Sequence, residues 1–551
     1  MCGKTKTKFS FTKCLVSVFI LLCSSPYNVH AQLKTVIEDF EGYADGQTEM
    51  KEDGVFSYGG INLMALQHIT YGYGYSGVRA LKVQWTGKEW FGGWGIGVEV
   101  YKELNVNTDY FNSYLYCPKI DTVAEDHIKI MLEDDDNNNV LFDKDKYDQW
   151  YYNLTIQRKN EWQLISIPLA QFNDGNPGGD GKFNLSFHEG KLRNLSFSFE
   201  DVKHYTTQNF WYFDFISFSK GILNTQSDIF LLPKADKEDH CSLGAWSKSE
   251  YESNYLLIVK DFENIFNCSG SSQKKLALAS FYKPFSADGK NVPNIYPSKE
   301  ELNTLVTNGY LPMITLEAHY AKTTDSVYQP NLYAIVEGHL DYYFADWARR
   351  LKEVKSPVFL RVLHEFNGNW YPWCIANNDN DPKLFIKAYR HIRQIFWNEK
   401  ADNVKFVWCP NSMSLPQASW NFIMDAYPGN EFVDVVGLDV FNGAGEQKEN
   451  VWHSFRKIAA DNYFIIKENI PDKPFVICET SCRERTSNEQ GYFEGKDTWI
   501  KQQAEALKTD FSKVNMMIWF NQYDNFRVNS SSESVAAYLK YFWMDNYFKQ
   551  K

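Results

Sequence analysis

Two patterns of apolar and polar residues divide the chain. Between about residues 35 and 220, short runs rich in β-branched and aromatic residues alternate with clusters of Asn, Asp and Gly. Strands at this spacing, with no helical pattern between them, predict an all-β sandwich, which we place at residues 33–222. The runs are ALKVQW (80–85), HIKIMLED (127–134), WQLISIPL (162–169), LSFSFE (195–200) and FWYFDFISF (210–218).

After a linker at residues 223–240, apolar strand-like runs alternate with helical periodicity. Segments 342–354 and 382–399 carry apolar residues at i, i+3, i+4 and i+7, as amphipathic helices do. This α/β alternation, with eight strand-like runs, predicts a (β/α)8 TIM barrel over residues 241–551. A doubly wound sheet is the alternative, but no glycine-rich phosphate loop follows any run. The runs are SLGAW (242–246), LALASFY (276–282), LPMITLEA (311–318), PVFLRVLHE (357–365), VKFVWCP (404–410), VDVVGLDVF (433–441), PFVICET (474–480) and VNMMIWFN (514–521).

Residues 1–31 have the pattern of a secretory signal peptide. Lysines precede the apolar stretch LVSVFILLC (15–23), and Ala31 supplies a small residue for cleavage. The stretch is too short to span a bilayer as a helix, so we expect no transmembrane segment. We expect the protein to be secreted or periplasmic. Attachment to the cell surface through a lipid on Cys23 is the alternative, although Leu22 is bulkier than lipoprotein peptidases prefer.

Composition narrows the expected partner. Aromatic residues make up 17% of the chain, with 17 Trp and 34 Tyr, and sugar rings stack on exposed aromatic rings. The 57 basic and 69 acidic residues give a net charge of −12 without a basic stripe, so we expect no nucleic-acid partner. No Cys-x-x-Cys or His-Glu-x-x-His spacing indicates zinc, and we expect no cofactor for catalysis. We expect a monomer that binds a neutral ligand.

Two glutamates stand at the ends of predicted barrel strands, where barrel enzymes place their active residues. Glu365 ends the fourth run and Glu479 ends the seventh, on the opposite side of the barrel. A structural ion pair is the alternative for either residue alone. Two carboxylates across a groove with nearby Trp residues instead favour glycosidic cleavage, in which one protonates the leaving oxygen and the other attacks the anomeric carbon.

These motifs resemble glycoside hydrolase family 26, a family of retaining (β/α)8 enzymes best known as endo-β-mannanases. The resemblance covers about residues 241–545 and is carried by RVLHEFNGNWYPW (361–373), PFVICETS (474–481) and WFNQYDNFRV (519–528). It implies that Glu365 is the acid/base and Glu479 the nucleophile.

The resemblance also implies roles for residues around the glutamates. His364 would hydrogen-bond near the nucleophile, Trp370 would line the sugar site, and Trp519 would form the platform under the cleaved sugar. Trp373 is a further candidate for substrate contact, and His319, which follows the third strand, is a candidate for binding a substrate hydroxyl. Packing within the loops or the core is the alternative for each of these rings.

The sixth strand departs from the family pattern. In the family this strand usually ends Asp-x-Tyr, where the Tyr donates a hydrogen bond to the nucleophile. Here the strand ends Asp439-Val440-Phe441, and Phe cannot donate. We therefore place Phe441 at the substrate site and expect another group to tune the nucleophile.

The N-terminal part resembles the galactose-binding-like jelly roll of several carbohydrate-binding modules. The resemblance is carried by DFEGY (39–43) and YFDFISF (212–218). It implies neighbouring terminal strands that often share a structural calcium ion, for which Asp39, Glu41 and Asp214 are candidate ligands. Salt-bridged strand ends are the alternative. Candidate rings for a sugar platform are Trp85, Trp90, Trp94, Tyr58, Tyr71, Tyr73 and Tyr75.

The sequence therefore predicts a secreted, retaining endo-β-glycanase with an accessory sugar-binding domain. The expected substrate is a polysaccharide, with β-1,4-mannan or glucomannan first. Mixed-linkage β-glucan and β-1,3-xylan are the alternatives within the family. A glycan-binding protein built on an inactive barrel is the alternative of another class, against which the two intact glutamates argue.

Overall fold

The structure is a computed structural model, and residues 31–551 form one compact unit. The expected signal peptide, residues 224–239 of the linker, His319, Tyr71, Tyr73 and Tyr75 lie outside the described residues. The structure describes residues 32–43, 46–50, 54–67, 79–86, 89–119, 126–135, 147–156, 159–176, 178–199, 209–223, 240–247, 254–267, 274–284, 296–317, 331–443, 452–484 and 495–548.

The N-terminal part is a β-sandwich, as predicted. One antiparallel sheet has the order β3-β4-β12-β6-β9, with β1 also paired to β12, and the other has the order β10-β8-β7-β11-β5-β2. The strands are β1 (Gln32–Glu38), β2 (Val55–Gly59), β3 (Ile61–Gln67), β4 (Arg79–Trp85), β5 (Gly92–Val100), β6 (Asp109–Tyr116), β7 (Asp126–Asp135), β8 (Asp148–Ile156), β9 (Trp162–Pro168), β10 (Asn173–Asp174), β11 (Lys191–Phe199) and β12 (Phe210–Lys220).

Aromatic rings fill the space between the two sheets. The Trp94 ring stacks on Phe197 with centroids 4.7 Å apart, and Trp85 packs edge-on against Phe199 at 5.2 Å. Trp85 and Trp94 are fully buried, so these two of the candidate rings do not form a sugar platform. Trp90, another of the candidate rings, is 65% exposed and is therefore accessible to a ligand.

The C-terminal part is the predicted (β/α)8 barrel. Eight parallel strands close in chain order. They are β13 (Ser242–Ser247), β14 (Leu278–Pro284), β15 (Leu311–Glu317), β16 (Val358–Arg361), β17 (Val404–Trp408), β18 (Val435–Asn442), β19 (Phe475–Cys482) and β20 (Val514–Asn521). The described helices are α1 (Tyr255–Asn267), α2 (Lys299–Thr307), α3 (Leu332–Val336), α4 (Asp341–Leu351), α5 (Pro382–Asn398), α6 (Phe455–Asn469), α7 (Lys496–Lys508) and α8 (Ser532–Tyr538).

Local sequence sets the helix boundaries. α2 starts at a capping box, in which Ser298 Oγ accepts from the Glu301 backbone N–H and the Glu301 carboxylate accepts from the Ser298 backbone N–H. α5 follows Asp381, whose carboxylate accepts from Lys383 N at 2.9 Å, and Pro382 occupies its first turn. Among the described residues, no helix is long and apolar enough to cross a membrane.

Helix α6 joins the barrel to strand β1 of the sandwich. Lys457 on α6 pairs with buried Glu38 at 2.7 Å, and Lys34 of β1 pairs with Glu468 at 3.5 Å. Phe187 of the sandwich stacks on Phe422 of the barrel with centroids 4.6 Å apart. One hydrophobic cluster therefore continues from the sandwich into the barrel.

The three candidate calcium ligands have different surroundings. Asp39 is buried and accepts a hydrogen bond from Ser454 Oγ of the barrel, while Glu41 Oε1 accepts from Arg79 N at 3.1 Å. Burial first, and the charge of Asp39 second, raise the pKa of the Asp214 carboxyl well above its ordinary value. Within the described part of the chain, Asp39, Glu41 and Asp214 are not among the groups whose side-chain ligand atoms all lie within 4.8 Å of one another, and the calcium site stays a prediction.

Candidate active site

Glu479, at the carboxyl end of β19, is held by two donors from other strands. Arg361 Nη2 and the Tyr282 hydroxyl both donate to Glu479 Oε1. Arg361 Nη2 also lies 3.2 Å from the Tyr282 oxygen, so the three groups form a closed hydrogen-bonded set. The tuning group expected in place of the missing strand-six Tyr is thus present on β14.

Arg361 is a fully buried cation at the end of β16. Its Nη1 lies 2.7 Å from both oxygens of buried Asp439, and its Nε donates to Thr315 Oγ1 at 2.9 Å. Burial alone lowers the pKa of Arg361, but the charges of Asp439 and Glu479 outweigh this and raise it well above its ordinary value. Arg361 therefore remains charged and fixes the carboxylate of Glu479.

Glu365 occupies a different environment. Asn411 Nδ2 donates to its Oε1 at 2.7 Å, and Trp370 Nε1 donates to its Oε2 at 2.8 Å. Burial, and next the negative charge of Glu479, raise the pKa of Glu365 to about 7. One carboxyl group is therefore arranged to hold a proton near neutral pH, while the other lies against a cation.

The backbone at Glu365 is unusual. The predicted fourth strand ends at Arg361 rather than at residue 365, because Leu363 and Glu365 have φ angles of 51° and 52°. A left-handed φ is unfavourable for a residue with a β-carbon. The hydrogen bond from Glu365 N to Cys409 O, at 2.8 Å, helps to hold this turn against the next strand. The turn sets the direction in which the Glu365 side chain leaves the strand.

The predicted substrate residues near Glu365 occupy different positions. Trp370 is 43% exposed and contacts the Glu365 carboxylate, so it is available to a ligand. Trp373 is fully buried and donates to His364 O at 2.7 Å, so its predicted substrate contact is wrong. His364 is also buried, with Nε2 3.2 Å from the Tyr371 hydroxyl. Its ring packs against the Tyr371 and Trp373 rings and does not reach the surface.

Trp519 is also misassigned by the sequence. It is fully buried on the helix-facing side of β20, edge-on to Tyr538 of α8 at 5.4 Å. The adjacent Phe520 is half-buried, and its ring stacks on Trp246 at 4.6 Å. Successive side chains of a strand point to opposite faces. Of two adjacent residues, one therefore points into the barrel mouth and the other into the core between the barrel and its helices. The platform prediction for Trp519 is wrong.

A continuous arc of four half-buried rings borders Glu479. Phe441 lies 5.1 Å from Phe520, Phe520 stacks on Trp246, and Trp246 lies 4.9 Å from Tyr282. The rings come from the sixth, eighth, first and second barrel strands. This aromatic arc, together with Trp370 on the other side, provides stacking surfaces next to both glutamates.

Three functional residues were missed in the sequence although signals were present. Arg361 is a lone charge in the apolar run PVFLRVL, Tyr282 ends the second run, and Asn411 directly follows the fifth. Each stands at or near the carboxyl end of a barrel strand, the same position that pointed to the glutamates.

One buried group of potential metal ligands lies under the site. Atoms of Cys409, Asp439 and Cys478 lie within 4.8 Å of one another, and Gly437 makes room, because a Cβ there would lie 2.5 Å from Cys478 Sγ. Asp439 is already bound to Arg361, and burial raises the pKa of the Cys409 thiol. A protonated thiol is a poor ligand, so this group fits a structural role better than a metal.

Comparison with known proteins identifies the family of one segment of the chain. Residues 307–524, which include both glutamates, match the model of glycosyl hydrolase family 26. The chain carries a family 26 glycoside hydrolase domain. For this segment, the predicted family and the predicted enzyme class, a glycoside hydrolase, are confirmed.

The chain is similar to proteins named endoglucanase and to proteins named mannan endo-1,4-beta-mannosidase. It is 31% identical over 241 residues to endoglucanase H of Acetivibrio thermocellus, covering 43% of this chain and 25% of that protein. It is 32% identical over 105 residues to a mannan endo-1,4-beta-mannosidase of Bacillus subtilis, covering 18% of this chain and 27% of that protein. The chain thus spans about a quarter of these curated relatives.

A solved mannanase of Bacillus subtilis aligns over 56% of this chain and 87% of its own, with 18% identity and a TM-score of 0.40. A likeness at this level adds nothing to the family match.

The raised pKa of Glu365 predicts a pH dependence. A general acid must be protonated, so kcat/KM should fall as pH rises through about 7. Trp370→Phe removes a donor that stabilises the charged carboxylate, which raises the pKa of Glu365 and moves this basic limb to higher pH. The pH profile of kcat/KM on a soluble oligosaccharide measures the shift. Trp397→Phe, on α5, is the control, and an unmoved limb in Trp370→Phe would contradict the assignment.

The contact of Tyr282 with Glu479 predicts a rate effect. Tyr282→Phe keeps the ring but removes the hydroxyl that orients the carboxylate. A hydrogen bond to a charged group contributes ~1.5–3 kcal/mol, so kcat/KM should fall about ten- to a hundredfold. Tyr389→Phe, a buried phenol on α5, should leave kcat/KM unchanged. Equal rates for Tyr282→Phe and wild type would show that the hydroxyl does not position Glu479.

Proposed function

We propose that the barrel hydrolyses a β-linked polysaccharide by double displacement, with Glu365 as acid/base and Glu479 as nucleophile. The observation that carries this proposal is the contrast between the two carboxyl groups. Burial and neighbouring negative charge raise the pKa of Glu365 to about 7, whereas Glu479 accepts hydrogen bonds from Arg361 and Tyr282. Two carboxyl groups that differ in this way can serve as proton donor and nucleophile at one pH.

In the first step Glu479 attacks the anomeric carbon as the glycosidic C–O bond breaks. Arg361 and Tyr282 both bind Oε1, so we expect Oε2 to attack. Glu365 transfers its proton to the leaving oxygen, and a glycosyl ester with Glu479 results. In the second step Glu365 takes a proton from water, the water oxygen bonds to the anomeric carbon, and Glu479 leaves as a carboxylate.

We propose that this hydrolysis is endo-acting, with β-1,4-mannan as the first substrate, because several relatives of the chain are named mannan endo-1,4-beta-mannosidases. A second candidate is a β-glucan, including mixed-linkage β-glucan. The longer match to a protein named endoglucanase H favours this candidate. The aromatic arc is compatible with either, since stacking depends on the sugar ring more than on the orientation of one hydroxyl.

The mechanism predicts distinct losses in two variants. Glu479→Ala should remove nearly all turnover, because no ester can form. Glu365→Ala should retain more activity on aryl glycosides with good leaving groups, which need little protonation, and azide should restore part of the lost rate. Retention requires the two carboxyl groups to lie about 5–5.5 Å apart, and azide rescue of Glu365→Ala should give a glycosyl azide of retained configuration. An active Glu479→Ala would show that the nucleophile is misassigned.

A product profile separates the substrates. We expect the full chain to release oligosaccharides from mannan and glucomannan faster than from mixed-linkage β-glucan or β-1,3-xylan. An endo-acting enzyme should lower the viscosity of the polymer well before much reducing sugar appears. Faster cleavage of mixed-linkage glucan would establish the second candidate instead. A wild-type protein that binds these polymers but cleaves none would support the non-catalytic alternative.

A further inference from the structure

The outer face of one sandwich sheet has a floor made largely of glycine and serine. In β5, Gly93, Gly95 and Gly97 alternate with Trp94 and Ile96, which are buried in the core. The three glycines therefore lie on the outer face of the sheet. Glycine weakens a strand, so a strand interior rarely carries this many. Glycines at such positions often mark a place where another group approaches the backbone closely.

Two rings of the neighbouring edge strand β2 lie over these glycines. A Cβ on Gly93 would lie 2.1 Å from the Tyr58 hydroxyl oxygen, and a Cβ on Gly95 would lie 2.7 Å from Phe56 Cζ. Any larger residue at either glycine would therefore displace a ring. Phe56 is 38% exposed and Tyr58 is half-buried, so both rings rest on the sheet and remain accessible from outside.

Small polar residues continue the floor on β11. Ser196 is paired with Gly95, and Ser198 is paired with Gly93. On the far side, strands β7 and β8 carry larger side chains, Met131 and Tyr151, which are paired with each other. The outer face thus forms a trough, bounded by Phe56 and Tyr58 on one side and by Met131 and Tyr151 on the other.

One end of the trough carries a row of hydrogen-bonding groups. Glu133 accepts from Asn194 Nδ2 at 2.5 Å and from Gln149 Nε2 at 3.1 Å. The three side chains lie on adjacent strands in register with Gly97. Two amides and a carboxylate offer donors and acceptors side by side, which suits a ligand with neighbouring hydroxyl groups.

We propose that this trough binds a strand of the β-linked polysaccharide that the barrel cleaves. The C–H faces of its sugars stack on Phe56 and Tyr58, and its hydroxyl groups exchange hydrogen bonds with the row at Glu133. Lys129 and Glu133, which carry opposite charges, lie on this same face, so the trough has no run of basic residues. An uncharged ligand fits such a surface better than a nucleic acid or a charged peptide.

The polymer is the occupant we choose because the same compact unit carries a glycoside hydrolase domain. A long chain held at the trough keeps other segments of that chain at high local concentration near the barrel. The identity of the polymer rests on the proposed function. The alternative is that the rings only cover the glycine backbone, a packing role known for edge glycines.

The full chain tests this proposal, in a Glu479→Ala background so that the polymer is not consumed. Binding is measured by depletion from insoluble β-1,4-mannan and by affinity electrophoresis in mixed-linkage β-glucan. Phe56→Ala combined with Tyr58→Ala should weaken binding about tenfold or more, since two stacked rings are lost. Tyr342→Ala, an exposed ring that is 52% accessible on α4, is the matched control and should bind as the parent does.

Activity separates this inference from the proposed function. With Glu479 intact, the Phe56→Ala, Tyr58→Ala variant should keep the wild-type kcat/KM on a soluble pentasaccharide and lose several-fold on insoluble polymer. If that variant does not fold, Asn194→Ala with Glu133→Gln leaves the rings in place and should still weaken binding. Unchanged binding in a folded variant overturns the trough alone. Ring-dependent binding in a wild-type chain that cleaves none of these polymers supports the trough and overturns the proposed function.

Discussion

The buried guanidinium of Arg361 is the charge on which the active site depends. Three carboxyl groups, Glu365, Asp439 and Glu479, lie in the mouth of the barrel where water is scarce, and burying carboxylates together is costly. Arg361 binds two of them directly and leaves the third without a cation of its own. Replacing Arg361 by a neutral residue would remove the charge that both partners require.

The same arrangement makes the two glutamates unequal. Glu479 is oriented by donors from the second and fourth strands, whereas Glu365 receives only neutral donors and the repulsion of Glu479. The difference does not require different side chains, because the barrel brings different neighbours to each strand end. The strained backbone at Glu365 belongs to this design, since it turns the residue away from the strand direction.

The alternation of polar and apolar residues was enough to predict both architectures, because it reflects burial, which is a property of whole segments. The two glutamates could also be predicted as site residues, because a carboxylate at the end of an apolar run is costly to bury without a function or a partner. The sequence did not show which face of its strand each aromatic ring occupies. Parallel barrel strands are buried on both sides, so the apolar pair Trp519 and Phe520 gives no sign of which side chain enters the mouth. Tyr282 was missed because an aromatic residue at a strand end looks the same whether it packs or donates a hydrogen bond.

The hydrophobic cluster shared by sandwich and barrel makes the accessory part a poor candidate for exchange between enzymes. Leu33, Val36 and Phe187 belong to the same cluster as the residues between the barrel and its helices. Cutting the chain between the two parts would expose these side chains. It would also leave the buried carboxylate of Glu38 without its ion-pair partner Lys457. This interface differs from a flexible linker, which few contacts cross and at which one domain can be replaced by another without loss of stability. Mutations on either side of it are therefore expected to evolve together, as they do within a single domain.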